Sequence, residues 1–250
     1  MKVSYDFSGR TVLVAGAASG IGRATALACA KAGAAVHALD IDSQGLATLA
    51  QEAAALSTNL ATAEVDISDS NAVTKAVAAI VAATGRIDAA ILTSAIQKRA
   101  LIDELSQAEW QRHLDVNLSG VFYLLREMYP VMKRQRSGSI VTFTSGLASN
   151  GWPGAAAYAA TKAGIIGLTK SAALELRSYG VRINALSPGL VATPVFLESA
   201  SDEELAMYEK SLGVSSPDEV IPTILHLISD GAITISGNIV ERRLIPRDTA

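Results

Sequence analysis

Residues 11–22 read TVLVAGAASGIG, and this stretch decides the fold. Its first five residues, TVLVA (11–15), are typical of a buried strand, and RATALACAKAG (23–33) is typical of a helix. Between them, Gly16 allows a tight turn, Gly20 lets backbone approach a phosphate, and Gly22 lets the helix pack closely on the strand. Free amides at the start of such a helix bind anions. The stretch therefore predicts a strand, turn and helix that hold a nucleotide phosphate.

Short apolar runs alternate with alanine-rich stretches along the rest of the chain. Strands are predicted at 11–15, 35–39, 62–66, 89–93, 139–143 and 182–186. Helices are predicted at 21–32, 43–56, 69–83, 107–133, 155–179 and 217–229. Nearly continuous apolar strands separated by helices are typical of a parallel sheet. We therefore expect one α/β domain over residues 1–250, a Rossmann-type doubly wound parallel sheet with helices on both faces.

The composition argues against several classes of protein. Of 250 residues, 50% are hydrophobic and 18% are charged, which argues against a disordered or fibrous chain. A formal charge of −3 disfavours nucleic acid as a partner. The single cysteine, Cys29, cannot form an internal disulfide, and the three histidines lack neighbouring ligands, so we expect no metal. With no long apolar run and no secretion signal, we expect a cytoplasmic protein without membrane contact.

Two aspartates follow the second and third predicted strands. Asp40 lies 18 residues after Gly22, where a carboxylate can accept hydrogen bonds from both hydroxyls of an adenine ribose. A 2′-phosphate would be repelled there, and none of residues 17–19 is basic, so the pattern favours NAD over NADP. A simple turn carboxylate is the alternative for Asp40. Asp66 could cap the adenine amino group, although a turn or helix-capping role explains it equally well.

A second pattern carries chemistry. Tyr158 and Lys162 lie four residues apart in a predicted helix, which places the phenol and the ammonium on one face. A nearby cation favours the phenolate, so we expect the tyrosine pKa to fall into a range useful for proton transfer. Ser145, at the end of the fifth strand, could donate a hydrogen bond to the same substrate oxygen. Taken alone, a tyrosine and a lysine at this spacing are more often a surface pair.

The motifs together resemble the short-chain dehydrogenase/reductase family, in the branch whose chains have about the length of this one. The family's turn TGxxxGIG matches residues 15–22, and its motif NAxxPGxxxT matches residues 184–193. Its active-site tetrad of Asn, Ser, Tyr and Lys falls on Asn117, Ser145, Tyr158 and Lys162. The match extends from Gly9 to Gly237, which is most of the chain.

The resemblance implies an NAD(H)-dependent oxidoreductase that interconverts a secondary alcohol and a ketone by hydride transfer at nicotinamide C4. Tyr158 would be the general acid or base, Ser145 would polarise the substrate oxygen, and Lys162 would lower the tyrosine pKa and bind the nicotinamide ribose. Asn117, at a local helix distortion, would position a water. The implied cofactor-binding residues are Gly16, Ser19, Gly20, Ile21, Gly22, Asp40, Asp66, Ile67, Tyr158, Lys162, Pro188, Val191 and Thr193.

The resemblance also implies a partner and a pocket. The partner would be a second copy of the chain, in a dimer or tetramer, and the substrate a small alcohol or ketone. The pocket would be lined by Ile96, Gln97 and Lys98, by the loop 149–152, and by the segment from Pro194 through Met207. Trp152 and Phe196 would give an apolar wall, with ordinary loop packing as the alternative for both. The acidic segment 194–212 is interpreted as a mobile substrate lid.

Three segments depart from the family pattern. Ala15 replaces a threonine whose hydroxyl braces the glycine turn, and residues 92–95, LTSA, replace NNAG after the fourth strand. The family's C-terminal Asp-Gly-Gly is absent, and residues 241–250 form an atypical tail. These departures motivate an alternative hypothesis, a non-catalytic protein that senses a dinucleotide or binds a partner. An S-adenosylmethionine methyltransferase would share the glycine turn and the acidic residue, but it has no use for Ser145, Tyr158 and Lys162.

Overall fold

The computed structural model describes residues 3–211 and 213–242. Within these ranges, seven parallel strands form one sheet in the order β3-β2-β1-β4-β5-β6-β7. The strands are β1 Thr11–Ala15, β2 Ala35–Asp40, β3 Leu60–Glu64, β4 Ala89–Leu92, β5 Gly138–Phe143, β6 Val181–Ser187 and β7 Ile239–Glu241. The predicted α/β class and doubly wound parallel sheet are confirmed.

Helices connect the strands and cover both faces of the sheet. They are α1 Gly20–Lys31, α2 Ser43–Ala55, α3 Ser70–Thr84, α4 Gln107–Leu114, α5 Gly120–Gln135, α6 Leu147–Asn150, α7 Ala156–Leu176, α8 Pro194–Ser199, α9 Asp202–Ser211 and α10 Ile221–Ile228. Short helical turns of other types lie at 115–119, 177–179, 217–219 and 230–232.

The sheet separates two apolar cores because successive strand residues point to opposite faces. On β1, Val12 and Val14 join the core that includes α1 and α10, while Leu13 and Ala15 join the core that includes α3, α5 and α7. All five residues of β1 are buried, which explains why this strand is a continuous apolar run. The apolar runs in the sequence therefore mark a sheet that is covered on both sides.

The strand order places a crevice at one edge of the sheet. From β1 the chain proceeds outward to β2 and β3, then returns to place β4 on the other side of β1. Helices leave in opposite directions at this reversal and leave a gap at the carboxyl ends of the strands, where ligands bind in open α/β sheets. The glycine turn at 16–22 and the residues after β4 border this gap.

Several predicted boundaries need correction. The third strand covers 60–64 and not 62–66, because its pairing with β2 runs from Leu60 to Glu64. Asp66 therefore lies beyond the strand end. The edge strand β7 was missed because it has only three residues and lacks a preceding apolar run. Of the predicted tail 241–250, residues 243–250 lie outside the described residues.

The predicted helix 107–133 is interrupted. Residues 115–119 form a π-helical turn between α4 and α5, with Asn117 fully buried at its centre. A π turn inserts one residue into the helical repeat and changes the direction of side chains beyond it. The distortion implied by the family resemblance is therefore present at the predicted residue, although the apolar periodicity alone had indicated a single helix.

Of the predicted lid 194–212, residue 212 lies outside the described residues, and the rest contains two short helices. The hydroxyl of Thr193 accepts a bond from the Phe196 amide at 3.4 Å at the start of α8. At the start of α9, the Ser201 amide donates to Glu204 at 2.9 Å and the Glu204 amide donates to the Ser201 hydroxyl at 3.2 Å. This reciprocal pair is a capping box, which satisfies amides that the first helical turn leaves free.

Two further expectations from the sequence are that the protein holds no metal and makes no contact with a membrane. Among the described residues, no group of His, Cys, Asp and Glu side chains has an arrangement that could hold a metal ion. In the same residues, no helix is both long enough and apolar enough to cross a membrane. Cys29 lies fully buried in α1, on the face packed against the sheet.

Candidate active site

A cleft of about 850 Å³ opens at the carboxyl ends of the strands. It brings together nearly all of the site residues that the sequence predicts, although they come from six separate segments of the chain. The predicted residues in its wall are Gly16, Ser19, Gly20, Ile21, Gly22, Asp40, Asp66, Ile67, Ser145, Tyr158, Lys162, Pro188, Val191 and Thr193. Asn117 is the predicted site residue that does not line it.

The glycine turn fits a phosphate group closely. A side chain on Gly22 would place Cβ 1.9 Å from the Gly16 carbonyl oxygen, so only glycine allows α1 to start this near the turn. Gly20 has a φ of +52°, and a Cβ there would fall 3.0 Å from Cγ2 of Thr193 on the opposite wall. Ser19 precedes α1, and its hydroxyl makes no capping bond to the helix. The turn therefore leaves backbone amides and one hydroxyl at the cleft, which suits a pyrophosphate.

A hydroxyl from the residue after β4 braces the turn that lacks the family's threonine. The Thr93 hydroxyl donates to the carbonyl oxygens of Ala15 and Gly16, at 2.7 and 3.1 Å. Thr93 lies in the segment that replaces NNAG, so the two departures at 15 and 92–95 compensate for each other. A side chain on Gly16 would place Cβ 2.5 Å from the same hydroxyl oxygen, which shows how tightly the turn and β4 are joined.

Asp40 is fixed in the wall of the cleft by backbone amides. Its Oδ2 accepts from the Ala18 amide at 2.9 Å, and its Oδ1 accepts from the Asp42 amide at 3.0 Å. Each carboxylate oxygen retains acceptor capacity for a ribose hydroxyl. The basic residues in the wall are Arg99, Arg112 and Lys162, none of which belongs to the glycine turn or to β2. The charge beside the turn is therefore negative.

Asp66 lies in the loop between β3 and α3. Its Oδ1 accepts bonds from the amide and the hydroxyl of Ser68, at 2.9 and 2.7 Å. Ile67, the next residue, is buried and packs against α5, where a side chain on Gly120 would place Cβ 2.7 Å from the Ile67 Cδ1. Asp66 therefore stabilises a turn and also lines the cleft.

Ser145, Tyr158 and Lys162 meet at the centre of the cleft. Ser145 follows β5, and its hydroxyl accepts from the Leu147 amide at 3.2 Å. Tyr158 and Lys162 lie one turn apart on α7, with the Lys162 ammonium 5.5 Å from the centre of the Tyr158 ring. Lys162 is 3% exposed, and its ammonium donates to the Phe143 carbonyl oxygen at 3.0 Å. A serine hydroxyl and a phenol, both partly buried, and a buried ammonium thus share one site.

The comparisons agree with this geometry. The sequence profile of a family described as short chain dehydrogenase matches residues 10–204. The chain belongs to the short-chain dehydrogenase family. Members of this family are oxidoreductases that use nicotinamide cofactors.

Two curated relatives align over almost the whole chain. The 3-oxoacyl-(acyl-carrier-protein) reductase of Thermotoga maritima is 37% identical over 93% of this chain and 95% of its own. A subunit of a hydroxy(phenyl)methylsuccinyl-CoA dehydrogenase of Thauera aromatica is 32% identical over 92% and 94% of the two chains. The crystal structure of a levodione reductase superimposes with a TM-score of 0.89, at 30% identity over 95% and 97% of the two chains.

Asn117 contacts the cleft wall from behind. Its Oδ1 accepts from the Ile96 amide at 2.8 Å and its Nδ2 donates to the Ile96 carbonyl at 2.9 Å. The same Nδ2 lies 3.3 Å from the Thr161 hydroxyl on α7. The side chain therefore joins the segment after β4 to α7, and none of these hydrogen bonds reaches Lys162.

Burial controls the ionisation of the central residues. It raises the pKa of Tyr158 to about 12, and a hydrogen bond with Ser145 only partly opposes this rise. Burial also lowers the pKa of Lys162 to about 8, because a charged ammonium loses hydration there. The expectation that Lys162 brings the tyrosine pKa down is therefore wrong, because burial outweighs every lowering effect at Tyr158. At neutral pH, Tyr158 carries its proton.

The part of the wall that was predicted to hold the substrate differs from the prediction. Ile96, Gln97 and Trp152 line the cleft as predicted, but residues 149–151 and 197–207 do not. Lys98 does not line it either, and its side chain pairs with Glu109 of the wall at 3.3 Å. Arg99, which the sequence analysis passed over, lies in the wall instead. Other residues in this part of the wall are Leu147, Val195, Phe196 and Tyr208.

Replacing Lys162 by Met should change how stability depends on pH. The folded protein releases this proton near pH 8, whereas the unfolded chain holds it to its ordinary pKa of 10.5. The unfolded state then binds more protons between these values, so the unfolding free energy of the wild type should rise relative to that of the variant across this window. Urea unfolding at several pH values measures the difference.

The control for this experiment is Lys170→Met, which removes an exposed lysine from the same helix. Its stability difference from the wild type should stay constant across the window. Parallel curves for wild type and Lys162→Met would show that burial does not hold the Lys162 pKa near 8.

Proposed function

We propose that the protein is an NAD(H)-dependent oxidoreductase that interconverts a ketone and a secondary alcohol. The observation that supports this most directly is the meeting of Ser145, Tyr158 and Lys162 in a cleft bordered by a phosphate-binding turn. NAD(H), when bound, supplies or accepts the hydride. The residues of this chain have to orient the substrate oxygen and move its proton.

Tyr158 is proposed as the proton donor in ketone reduction. Its raised pKa keeps the phenol protonated at neutral pH, which is the state that a general acid requires. Ser145 would donate a hydrogen bond to the same substrate oxygen and hold it near the phenol. In the oxidation direction, the phenolate would accept the proton of the alcohol.

Lys162 and Asn117 have supporting roles in this proposal. Lys162 is held by the Phe143 carbonyl, with an ammonium that could also donate to the hydroxyls of a nicotinamide ribose. Its charge would favour the phenolate at the moment of proton transfer. Asn117 fixes the backbone of Ile96 beside the site, and the water-relay role implied by the resemblance stays a prediction. A location in the cytoplasm and assembly as a dimer or tetramer also stay predictions.

Replacing Tyr158 by Phe should abolish most turnover while NADH still binds. Loss of one general acid lowers kcat by about a hundredfold or more. A panel of ketones and secondary alcohols, followed by NADH absorbance, would first identify a substrate of the wild type, and fluorescence titration would measure NADH binding. Tyr179→Phe, which removes a hydroxyl at the far end of the same helical segment, is the control.

Two results of this experiment would contradict the proposal. Unchanged turnover in Tyr158→Phe would exclude its role in proton transfer. Absence of turnover by the wild type over the whole panel, with NADH still bound, would favour the alternative of a non-catalytic dinucleotide sensor.

The proposed preference for NAD depends on Asp40. Its carboxylate is fixed at the end of β2, where a 2′-phosphate would meet a negative charge with no cation beside it. The wild type should therefore bind NADH more tightly than NADPH in a direct titration. Asp40→Ala should reduce this preference by about tenfold, which corresponds to about 1.4 kcal/mol.

The matched control for Asp40 is Glu64→Gln. Glu64 pairs with Asp40 in the β2–β3 register, but it is exposed and lies outside the cleft wall. Loss of this charge should leave the preference unchanged. Tighter binding of NADPH than NADH by the wild type would show that Asp40 does not govern the choice of cofactor.

We also propose that α8 and α9 act as a lid over the cofactor and substrate. Phe196 and Tyr208 belong to these helices and line the cleft, with their rings 6.0 Å apart. Bound NADH should slow cleavage by a glutamate-specific protease at Glu198 and Glu203, relative to cleavage at Glu52 on α2. Mass spectrometry of the fragments measures the two rates, and equal rates with and without NADH would exclude a lid that closes on the cofactor.

A further inference from the structure

Arg99 is a charged residue in a cleft wall that also carries several aromatic side chains. Its neighbours in the wall include Trp152, Phe196 and Tyr208, and the Tyr208 ring lies 5.9 Å from that of Trp152 and 6.0 Å from that of Phe196. The Arg99 side chain is 22% exposed. A guanidinium in such surroundings loses hydration and needs acceptors within the protein or the ligand.

The backbone around Arg99 is fixed at three points. Asn117 holds both polar groups of Ile96, and the Lys98 amide donates to Nε2 of His113 at 3.2 Å. The Ala100 amide donates to the Gly154 carbonyl at 3.0 Å. Arg99 therefore projects from a rigid segment, which is the condition for a side chain that orients a ligand.

Glu204 anchors the guanidinium from behind. Both carboxylate oxygens of Glu204 accept from the same nitrogen, Nη1 of Arg99, at 2.8 and 2.7 Å. Glu204 also accepts from the Trp152 indole at 3.2 Å and from the Ser201 amide at 2.9 Å. Although Arg99 lines the cleft, Glu204 does not. The positive charge is thus balanced from outside the cleft.

The anchor leaves donors of Arg99 without acceptors. A guanidinium has five N–H groups, and the usual paired geometry with a carboxylate uses two different nitrogens. Among the described residues, Nε of Arg99 is a buried side-chain atom without a hydrogen-bond partner. A side-chain hydrogen bond from Arg99 to Tyr208 opposes the rise in the Tyr208 pKa that burial causes. The guanidinium therefore uses part of its donor capacity on Glu204 and Tyr208 and retains donors that an acceptor on a ligand in the cleft could use.

We propose that Arg99 determines substrate specificity by binding a second, neutral carbonyl oxygen of the substrate, apart from the oxygen that reacts. This inference rests on the proposed function. An uncharged acceptor uses the free donors without disturbing the pair with Glu204. A carboxylate would bring a second negative charge to a guanidinium that is already neutralised. The preferred substrates are therefore neutral dicarbonyl compounds or the corresponding hydroxycarbonyl compounds.

The test compares two ketones of equal chain length on wild type and Arg99→Met. Ethyl acetoacetate carries a second carbonyl, while 2-heptanone has methylene groups in place of the ester. The variant should lose about tenfold or more in kcat/KM on ethyl acetoacetate and less than about threefold on 2-heptanone. Comparing each ketone with itself across the two proteins removes the difference in their intrinsic reactivity.

Lys98→Met is the matched control. It removes the adjacent cation, which does not line the cleft and pairs with Glu109 of the wall, and kcat/KM on both ketones should keep the wild-type ratio to one another. Arg99→Lys is a second variant that keeps the test decisive if Arg99→Met fails to fold. It keeps the charge beside Glu204 but lacks the fork of donors, so its loss on ethyl acetoacetate should lie between those of wild type and Arg99→Met.

A charge test uses acetoacetate, the anion, beside its neutral ester. Glu204→Gln removes the balancing charge, so the ratio of kcat/KM for acetoacetate to that for the ester should rise by about tenfold. An unchanged ratio would overturn the requirement for a neutral acceptor.

The outcomes separate this inference from the proposed function. Equal losses on both ketones in Arg99→Met, or no loss on either, would overturn the role of Arg99 alone. Failure of the wild type to reduce any ketone would overturn the proposed function, and this inference with it.

Discussion

Because all the described strands run parallel, their carboxyl ends lie at one edge of the sheet, and the whole site depends on this constraint. Five of these strands each bring a different group to that edge. The glycine turn follows β1, Asp40 ends β2, Ile96 follows β4, Ser145 follows β5 and Val191 follows β6. A change in strand order would separate these groups even if every local motif were kept. The arrangement thus explains how short motifs far apart in the chain act together.

The parts of the site that follow from local patterns were predictable. Gly16 and Gly22 are recognisable because a strand precedes them and a helix follows, and Tyr158 and Lys162 because their spacing places them on one helical face. The brace between Thr93 and the turn was not predictable, since the bond joins residues 78 positions apart. The sequence shows that Ala15 lacks the hydroxyl of the family's threonine. It does not show that the Thr93 hydroxyl, after β4, takes its place.

Contacts between distant residues also limit what the sequence can predict around Arg99. Arg99 and Glu204 are 105 positions apart, and their pairing depends on how α9 lies against the loop after β4. Alternation of residue types cannot tell which of two adjacent basic residues, Lys98 or Arg99, faces the cleft. Ionisation was equally hidden, because the Tyr158 pKa depends on burial more than on the spacing to Lys162. The direction of a side chain and its loss of hydration both depend on how distant segments of the chain pack together.

The position of Cys29 has a chemical consequence. Burial in α1 raises the pKa of its thiol to about 12, so almost no thiolate exists at physiological pH. Oxidants and alkylating agents react with the thiolate, and a buried thiol also lacks contact with them. Mild oxidation or thiol-directed labelling should therefore leave the folded chain unmodified at this residue. Reactivity at Cys29 then becomes a signal that the core around α1 has opened.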